Sequence, residues 1–173
     1  MMTRRTFGKL GAATAALGAL ASAQAFSSGA PKETYEITKA PEEWKKILTP
    51  DQYYVLREEG TEYAFSSPLD KNYAAGLYNC AGCDLPVYSS ETKYDSGTGW
   101  PSFWKPLDNA IGTREDRTLF LQLRTEVHCR RCGGHLGHVF DDGPKPTGLR
   151  YCMNGVAMKF VPGTTVAPTQ SSL

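Results

Sequence analysis

The chain has 173 residues, which is the length of one domain. Its formal charge of +1 provides no strong basic field, so the composition excludes a protein that binds nucleic acid mainly by neutralising phosphates. Hydrophobic residues make up 40% of the chain, which favours a globular core over a disordered chain. The five cysteines are an odd number, so internal disulfides cannot use all of them.

The first 23 residues have the pattern of an export signal. Arg4 and Arg5 precede an uncharged stretch, residues 10–25, that is shorter than the roughly 20 apolar residues needed to cross a bilayer. Ala21-Ser22-Ala23 supplies the small residues of a cleavage site. The segment resembles a bacterial twin-arginine signal, which predicts export of the folded protein to the periplasm. Cleavage after residue 23 changes the formal charge to −2. Retention of the segment as a membrane anchor is the alternative.

The chain then leads into a first predicted helix. Residues 24–34 are predicted to be a flexible lead-in, because they are mostly small and polar. The helix is expected within residues 38–48, where Pro41 stands near the start and two acidic residues follow it. Its buried face is predicted to carry Trp44, Ile47 and Leu48.

A second helix is predicted to begin at Thr49. Thr49 and Gln52 have the spacing of a capping box, in which each side chain accepts a hydrogen bond from the backbone N–H of the other residue. Val55 and Leu56 give this helix a buried side. Gly60 is predicted to end it, since glycine favours the conformation that closes a helix C-terminus.

The rest of the domain is predicted to be mainly β. From about Leu77 onward glycine and proline recur every few residues, and the short apolar runs 118–123 and 155–161 are typical of strands bounded by turns. We therefore expect an antiparallel β core with short N-terminal helices in a domain spanning residues 35–162. Residues 163–173 are predicted to form a loose C-terminal tail.

Four of the five cysteines form two C-x-x-C pairs, Cys80 with Cys83 and Cys129 with Cys132. Two such pairs in one small domain are typical of a structural zinc site with four thiolate ligands. One alternative is a pair of small disulfides, because an exported protein meets an oxidising compartment. Another is a thiol–disulfide oxidoreductase, although no βαβ pattern accompanies the pairs.

The fifth cysteine, Cys152, has neighbours that suit a reactive thiol. Arg150 can favour a thiolate electrostatically, and Asn154 lies on the same face if the segment is a strand. His135 and His138 could supply protons to a nucleophilic cysteine. The alternative is a buried and inert cysteine in a zinc-stabilised binding module.

Together the motifs resemble those of the B-type methionine sulfoxide reductases, in chain order over roughly residues 35–161. They are Cys80-x-x-Cys83, Gly97-Thr98-Gly99-Trp100-Pro101-Ser102-Phe103, Cys132-Gly133-Gly134-His135-Leu136-Gly137-His138-Val139-Phe140-Asp141-Asp142-Gly143 and Arg150-Tyr151-Cys152-x-Asn154. The resemblance implies two antiparallel β-sheets, one structural zinc ion away from the active site, and reduction of the R epimer of methionine sulfoxide in proteins.

The resemblance also implies roles for individual residues. Cys152 is the nucleophile that attacks the sulfoxide sulfur and becomes a sulfenic acid. His138 is the expected proton donor, with His135 and Asn154 holding the substrate oxygen or a water. The remaining expected substrate contacts are Trp100, which receives the S-methyl group, Phe140 and Arg150, with Asp142 as a possible orienting group.

The sequence departs from the family at one position. Many members carry a resolving cysteine just before the Gly-Trp-Pro-Ser-Phe segment, where this chain has Thr98. With four cysteines assigned to zinc, we expect an external thiol, such as a thioredoxin-like protein, to reduce the sulfenic acid directly. The expected partners are therefore oxidised proteins and this reductant, with no nucleic acid, and the protein is expected to be a monomer.

Overall fold

The computed structural model describes residues 34–116, 123–163 and 165. The predicted signal segment and all but the last residue of the predicted lead-in lie outside these ranges, as does most of the predicted tail. Within the described ranges, no helix has the length and apolar character that a membrane crossing requires.

The two predicted helices are confirmed as α1, Pro41–Ile47, and α2, Pro50–Glu58. The capping box of α2 is also confirmed. The N–H of Gln52 donates to Thr49 Oγ1 at 3.2 Å, and the N–H of Thr49 donates to Gln52 Oε1 at 3.1 Å. These bonds satisfy backbone groups that a helix N-terminus leaves without intrahelical partners.

The core faces of the helices are as predicted at Trp44, Leu48, Val55 and Leu56, which are buried. The prediction for Ile47 is wrong, because its side chain is 56% exposed. The helix ends at Ile47, and Leu48 continues in extended backbone, so Leu48 takes the core position.

The prediction for the end of α2 needs a correction. The left-handed residue after α2 is Glu59, with φ 57°, and not Gly60. Gly60 follows it and donates its N–H to the carbonyl of Tyr54 at 3.0 Å. A Cβ at position 60 would lie 2.3 Å from the Tyr54 ring, so a larger residue there would displace this exposed side chain.

The described chain contains nine strands in two antiparallel sheets. The smaller sheet has the order β2-β1-β9, and the larger has the order β3-β4-β8-β7-β6-β5. In chain order the strands are β1 Gly76–Cys80, β2 Pro86–Ser89, β3 Lys93–Tyr94, β4 Ser102–Phe103, β5 Ile111–Asp116, β6 Arg124–Cys129, β7 His135–Phe140, β8 Arg150–Met153 and β9 Met158–Pro162. Two 3₁₀ turns also occur, at Ser90–Thr92 and Gly155–Ala157. The predicted fold of two antiparallel sheets with short N-terminal helices is confirmed.

The strand predicted at 155–161 is confirmed only in its second half. Residues 155–157 form a 3₁₀ turn, and the carboxylate of Glu62 accepts the N–H groups of Gly155 and Val156 at 2.6 and 2.9 Å. Most of the run 118–123 lies outside the described residues, and Leu123 is not in a strand.

Aromatic side chains pack the two sheets together. Tyr88 of the smaller sheet stacks on Phe103 of the larger sheet with ring centroids 4.3 Å apart, and Tyr78 meets the same ring edge-on at 5.0 Å. The Tyr88 hydroxyl donates to the sulfur of Met153 at 3.1 Å. Met153 follows Cys152 in β8, so this interface also supports the strand that carries Cys152.

Candidate active site and metal centre

The two C-x-x-C pairs come together, as predicted. Their four sulfur atoms lie within 4.8 Å of one another, with 3.7 Å between Cys80 and Cys132 and 3.5 Å between Cys83 and Cys129. Sulfurs bound tetrahedrally to zinc at about 2.3 Å would be about 3.8 Å apart. All four cysteines are free, and both of these contacts join one pair to the other, which does not fit two small disulfides. These residues therefore fit one metal ion.

Tight turns at the ends of strands build this centre. Cys80 and Cys129 are the last residues of β1 and β6, and each pair continues into a turn. The N–H of Gly133 donates to the carbonyl of Cys129 at 2.8 Å, with Gly133 at φ 66°, where glycine is favoured. The turns thus aim the second cysteine of each pair back towards the first.

Arg57 of α2 supplies positive charge beside the sulfurs. Its guanidinium donates to Cys132 Sγ at 3.2 Å and to the carbonyl of Cys132 at 3.0 Å, and it stacks 4.1 Å from the centre of the Trp44 ring. A cation at this distance stabilises thiolates. Arg57 therefore connects both N-terminal helices to the metal centre.

Cys152 lies in a polar row that crosses the larger sheet. Residues directly opposite each other in antiparallel strands point to the same face. Cys152 is opposite Ser102 of β4 on one side and His138 of β7 on the other. The row extends to Tyr94 of β3 beyond Ser102, and to Glu126 of β6 and Arg114 of β5 beyond His138.

A β-bulge brings His135 to the same face as His138. Regular alternation would place residues three apart on opposite faces of a strand. In β7, however, Gly137 pairs with Val127 and His135 pairs with His128, which leaves Leu136 as an extra residue. The two histidine rings consequently lie 5.3 Å apart.

Each histidine is held by a carboxylate. His135 Nδ1 lies 2.8 Å from Glu126 Oε1, and Glu126 is also ion-paired with Arg114. Burial opposes ionisation of Glu126, but the bonds from His135 and Arg114 outweigh it and lower the pKa of Glu126. Nε2 of His135 is buried and has no hydrogen-bond partner among the residues that the structure describes. An imidazole held at Nδ1 can direct its Nε2 at a ligand.

His138 has a different electrostatic setting. Its Nε2 lies 2.8 Å from Asp116 Oδ2, and Arg124 binds the same carboxylate oxygen at 2.6 Å. Burial lowers the pKa of His138 and outweighs the hydrogen bond that His138 donates to Asp116. The proton is therefore held less tightly than on an exposed histidine, which makes protonated His138 a stronger acid.

The surroundings of Cys152 include one cation. Burial raises the pKa of the Cys152 thiol, and a hydrogen bond from Thr98 and the charge of Arg150 oppose that rise. Asp142 binds Arg150 through two hydrogen bonds of 2.8 and 2.7 Å. The guanidinium also lies 4.3 Å from the centre of the Phe140 ring.

Asn154 differs from the sequence-based expectation. Strand β8 ends at Met153, so Asn154 does not share a strand face with Cys152. Its backbone N–H and its Nδ2 both donate to the carbonyl of Leu136, at 2.8 and 3.1 Å. Its Oδ1 accepts the N–H of Glu62 at 3.0 Å. Asn154 therefore binds the carbonyl of the extra residue in the bulge.

Trp100 is connected to the same segment. Its indole N–H donates to the carbonyl of Glu62 at 3.2 Å, and its ring is partly exposed. The backbone of Glu62 thus joins Trp100 to Asn154. An indole held at its polar end leaves the apolar body available for contact with a ligand.

Sequence reasoning missed several residues of this site: Glu62, Asp116, Glu126, Ser96 and Ser102. The acid in Arg124-Thr125-Glu126-Val127 offered a signal, since a carboxylate in a half-buried strand needs a partner. Asp116 and Glu62 carry no local signal, because their partners are distant in the chain.

The fold and the two sites define a two-sheet protein that combines a four-cysteine metal centre with a separate cysteine–histidine site. Residues 48–162 match the SelR domain, and the chain belongs to that family. It is 52% identical to peptide methionine sulfoxide reductase MsrB of Leptospira interrogans over 126 residues, covering 73% of this chain and 96% of the relative. It is 49% identical to the protein of that name in Agrobacterium fabrum over 127 residues, covering 73% and 94%.

A plant relative is similar over the same region. The chain is 53% identical to the chloroplastic peptide methionine sulfoxide reductase B1 of Arabidopsis thaliana over 117 residues, covering 68% of this chain and 58% of the relative. The resemblance to B-type methionine sulfoxide reductases is thereby confirmed at the level of the family. A binding module without catalytic activity does not account for it.

Proposed function

We propose that this protein reduces the R epimer of methionine sulfoxide in oxidised proteins, with Cys152 as the nucleophile. Reduction of methionine sulfoxide follows from membership of the family. The observation that carries the assignment to Cys152 is its place in the polar row, directly opposite His138 and with Arg150 two residues away. The other four cysteines are gathered in the metal centre.

The reaction transfers one oxygen atom. The Cys152 thiolate attacks the sulfoxide sulfur, the sulfur–oxygen bond breaks, and His138 delivers a proton to the oxygen as it leaves. The attack joins the two sulfur atoms and releases the oxygen as hydroxide. The hydroxide then adds to the Cys152 sulfur, the sulfur–sulfur bond breaks, and methionine departs, so that Cys152 is left as a sulfenic acid. In sum, one thiol and one sulfoxide give one sulfenic acid and one thioether.

The side chains around Cys152 have separate tasks in this proposal. His135 uses its free Nε2 to hold the substrate oxygen or a water, with Glu126 as its positioning residue. Trp100 and Phe140 contact the apolar part of the substrate, and Arg150 favours the thiolate. Asn154 serves as a positioning residue, because it binds the bulge that aligns the histidines.

Recycling is proposed to need an external thiol. An incoming thiol attacks the sulfenic acid and releases water, and a second thiol reduces the mixed disulfide to restore Cys152. This chain has a hydroxyl, Thr98, at the position where the resemblance implies a resolving cysteine. A thioredoxin-like protein has the two thiols that these two reaction steps require.

The metal is proposed to be zinc, bound by the four thiolates as a structural ion. When bound, zinc supplies folding free energy and no chemistry to the reaction. The location is proposed to be the periplasm, reached by the twin-arginine pathway, because Arg4 and Arg5 precede a short uncharged stretch.

Separated epimers of a blocked methionine sulfoxide test the activity. We expect reduction of the R epimer, and we expect Cys152→Ser to lower the rate by about a thousand-fold or more, because a hydroxyl is a far weaker nucleophile than a thiolate. Circular dichroism and metal content serve as controls and stay unchanged. Preference for the S epimer contradicts the type assignment, and substantial activity of the variant contradicts the assignment of the nucleophile.

Metal analysis of the purified protein tests the zinc proposal. We expect one equivalent of zinc and a lower unfolding temperature after treatment with a chelator, because metal binding and folding are coupled. Cys83→Ser removes a ligand and lowers the affinity for zinc, whereas Cys152→Ser retains it. Less than about half an equivalent of bound zinc contradicts the proposal.

The pH profile of kcat/KM tests the proton donor. The pKa of His138 is lowered from 6.5 and that of Cys152 is raised from 9.0, so between these values the two groups share one proton. We expect kcat/KM to be constant between pH 6.5 and pH 9.0 and to fall only outside that range. His138→Asn lowers the plateau by about a hundred-fold or more and removes the alkaline limb. A profile of His138→Asn with the same limbs as the wild type excludes this role.

A single turnover without reductant tests the recycling step. We expect wild-type protein to gain one oxygen atom at Cys152, detected by mass spectrometry after trapping with a sulfenic acid reagent. The matched variant Thr98→Cys forms a disulfide with Cys152, because Thr98 Oγ1 already lies 3.8 Å from the sulfur. An internal disulfide involving Cys152 in the wild-type protein refutes direct recycling.

A further inference from the structure

A chain of three hydroxyl groups reaches the sulfur of Cys152. Thr98 Oγ1 lies 3.8 Å from Cys152 Sγ and 2.8 Å from Ser96 Oγ. Ser96 Oγ lies 2.7 Å from Ser102 Oγ, and Ser102 Oγ lies 3.0 Å from the carbonyl oxygen of Trp100. One end of the chain is therefore a sulfur that can be a thiol or a thiolate, and the other end is an oxygen that only accepts.

The hydroxyl protons can fill this chain in two directions. When Cys152 is a thiol, it can donate to Thr98, which donates to Ser96, which donates to Ser102, which donates to the carbonyl of Trp100. When Cys152 is a thiolate, the order reverses, and Ser102 donates to Ser96, Ser96 to Thr98, and Thr98 to the sulfur. Every hydroxyl keeps its own proton and only rotates, since each carries one donor and two acceptor positions. Donors aligned in one direction strengthen each other.

The backbone fixes Thr98 at the end of this chain. Gly97 and Gly99 flank it with φ values of 73° and 87°, so the turn needs glycine on both sides. The N–H of Thr98 donates to Ser96 Oγ at 3.4 Å, and the N–H of Gly97 donates to Asp95 Oδ1 at 2.9 Å. Ser102 is held by strand pairing directly opposite Cys152.

We propose that Thr98 is a catalytic hydrogen-bond donor to the sulfur of Cys152, at the end of a reversible hydroxyl chain formed with Ser96 and Ser102. The proposal rests on the proposed role of Cys152 as the nucleophile. Under this proposal Thr98, which occupies the position of the resolving cysteine, has a role of its own in the reaction. The hydroxyl favours the thiolate before the attack and does not take part in recycling.

Thr98 makes the largest of the hydrogen-bond contributions that lower the pKa of Cys152. Arg150 and Ser102 make smaller hydrogen-bond contributions, and two of the Arg150 nitrogens are engaged by Asp142. His138, opposite Cys152 in β7, has Nε2 engaged with Asp116. Burial raises the pKa of both Tyr88, from the smaller sheet, and Tyr94, from β3, so these phenols stay neutral.

The test measures how fast iodoacetamide alkylates Cys152 as a function of pH, with the modified residue identified by peptide mass spectrometry. Thr98→Val keeps the shape of the side chain and removes the hydroxyl. A hydrogen bond to a charged acceptor changes an equilibrium by about ten-fold. The more basic thiolate is about three-fold more nucleophilic, so the net fall in the alkylation rate at pH 7 is about three-fold. The midpoint of the profile moves to higher pH, and the rate on the alkaline plateau rises by about three-fold.

Two further variants separate the hydroxyl from a general disturbance of the loop. Thr98→Ser restores the donor and returns the midpoint to the wild-type pH. Ser96→Ala leaves Thr98 in place but breaks the chain, and it moves the midpoint upward by less than Thr98→Val does. A loss of local packing exposes the thiol and lowers the midpoint, which is the opposite direction.

The result that overturns the proposal is a Thr98→Val midpoint equal to that of the wild type, or a Thr98→Ser midpoint equal to that of Thr98→Val. Alkylation does not require turnover, so this result is distinguishable from failure of the proposed function. Inactivity towards methionine sulfoxide in the wild type refutes the function alone, whereas an unshifted midpoint in an active Thr98→Val enzyme refutes the hydroxyl chain alone.

Discussion

The active site depends on one extra residue in strand β7. Without the bulge at Leu136, His135 and His138 would point to opposite faces of the sheet, and only one could lie beside Cys152. The bulge leaves the carbonyl of Leu136 outside the ladder, and Asn154 binds it with both its backbone and its side-chain amide. Gly137 completes the arrangement, since a Cβ there would lie 2.1 Å from the carbonyl oxygen of Cys152. The close approach of β7 and β8 thus fixes the register that the polar row requires.

The metal centre constrains how the two sheets are held together, because its cysteines come from both of them. Cys80 ends a strand of the smaller sheet, and Cys129 ends a strand of the larger sheet. Four thiolates bound to one ion would therefore join the two sheets, and Tyr78, Tyr88 and Phe103 join them by packing. Arg57 extends the same connection to α2. One small domain is held together by short-range contacts of two different chemical kinds.

The features that could be predicted from the sequence are those encoded by neighbouring residues. The capping box of Thr49 and Gln52 and the two C-x-x-C pairs are local patterns, and both appear in the structure as expected. Ile47 and Gly60 were misjudged because periodicity does not show where a short helix ends. The carboxylates of Asp116 and Glu126 escaped prediction because strand pairing brings them to the histidines, and the bulge that aligns those histidines has no signature in a single sequence. Asn154 was placed on the face of Cys152 by simple alternation, but the strand ends one residue earlier.

The burial of Met153 bears on how well the protein withstands oxidation. Met153 follows the nucleophile in the chain, is fully buried and accepts a hydrogen bond from Tyr88, and Met158 is 4% exposed. The other two methionines, Met1 and Met2, precede the predicted cleavage site. Oxidants attack the thioether sulfur, and the resulting sulfoxide disrupts a packed core. A mature chain that has lost its first 23 residues thus retains no exposed methionine within the described ranges. Under the conditions that generate its substrate, the protein offers few targets of the same chemical type on its own surface.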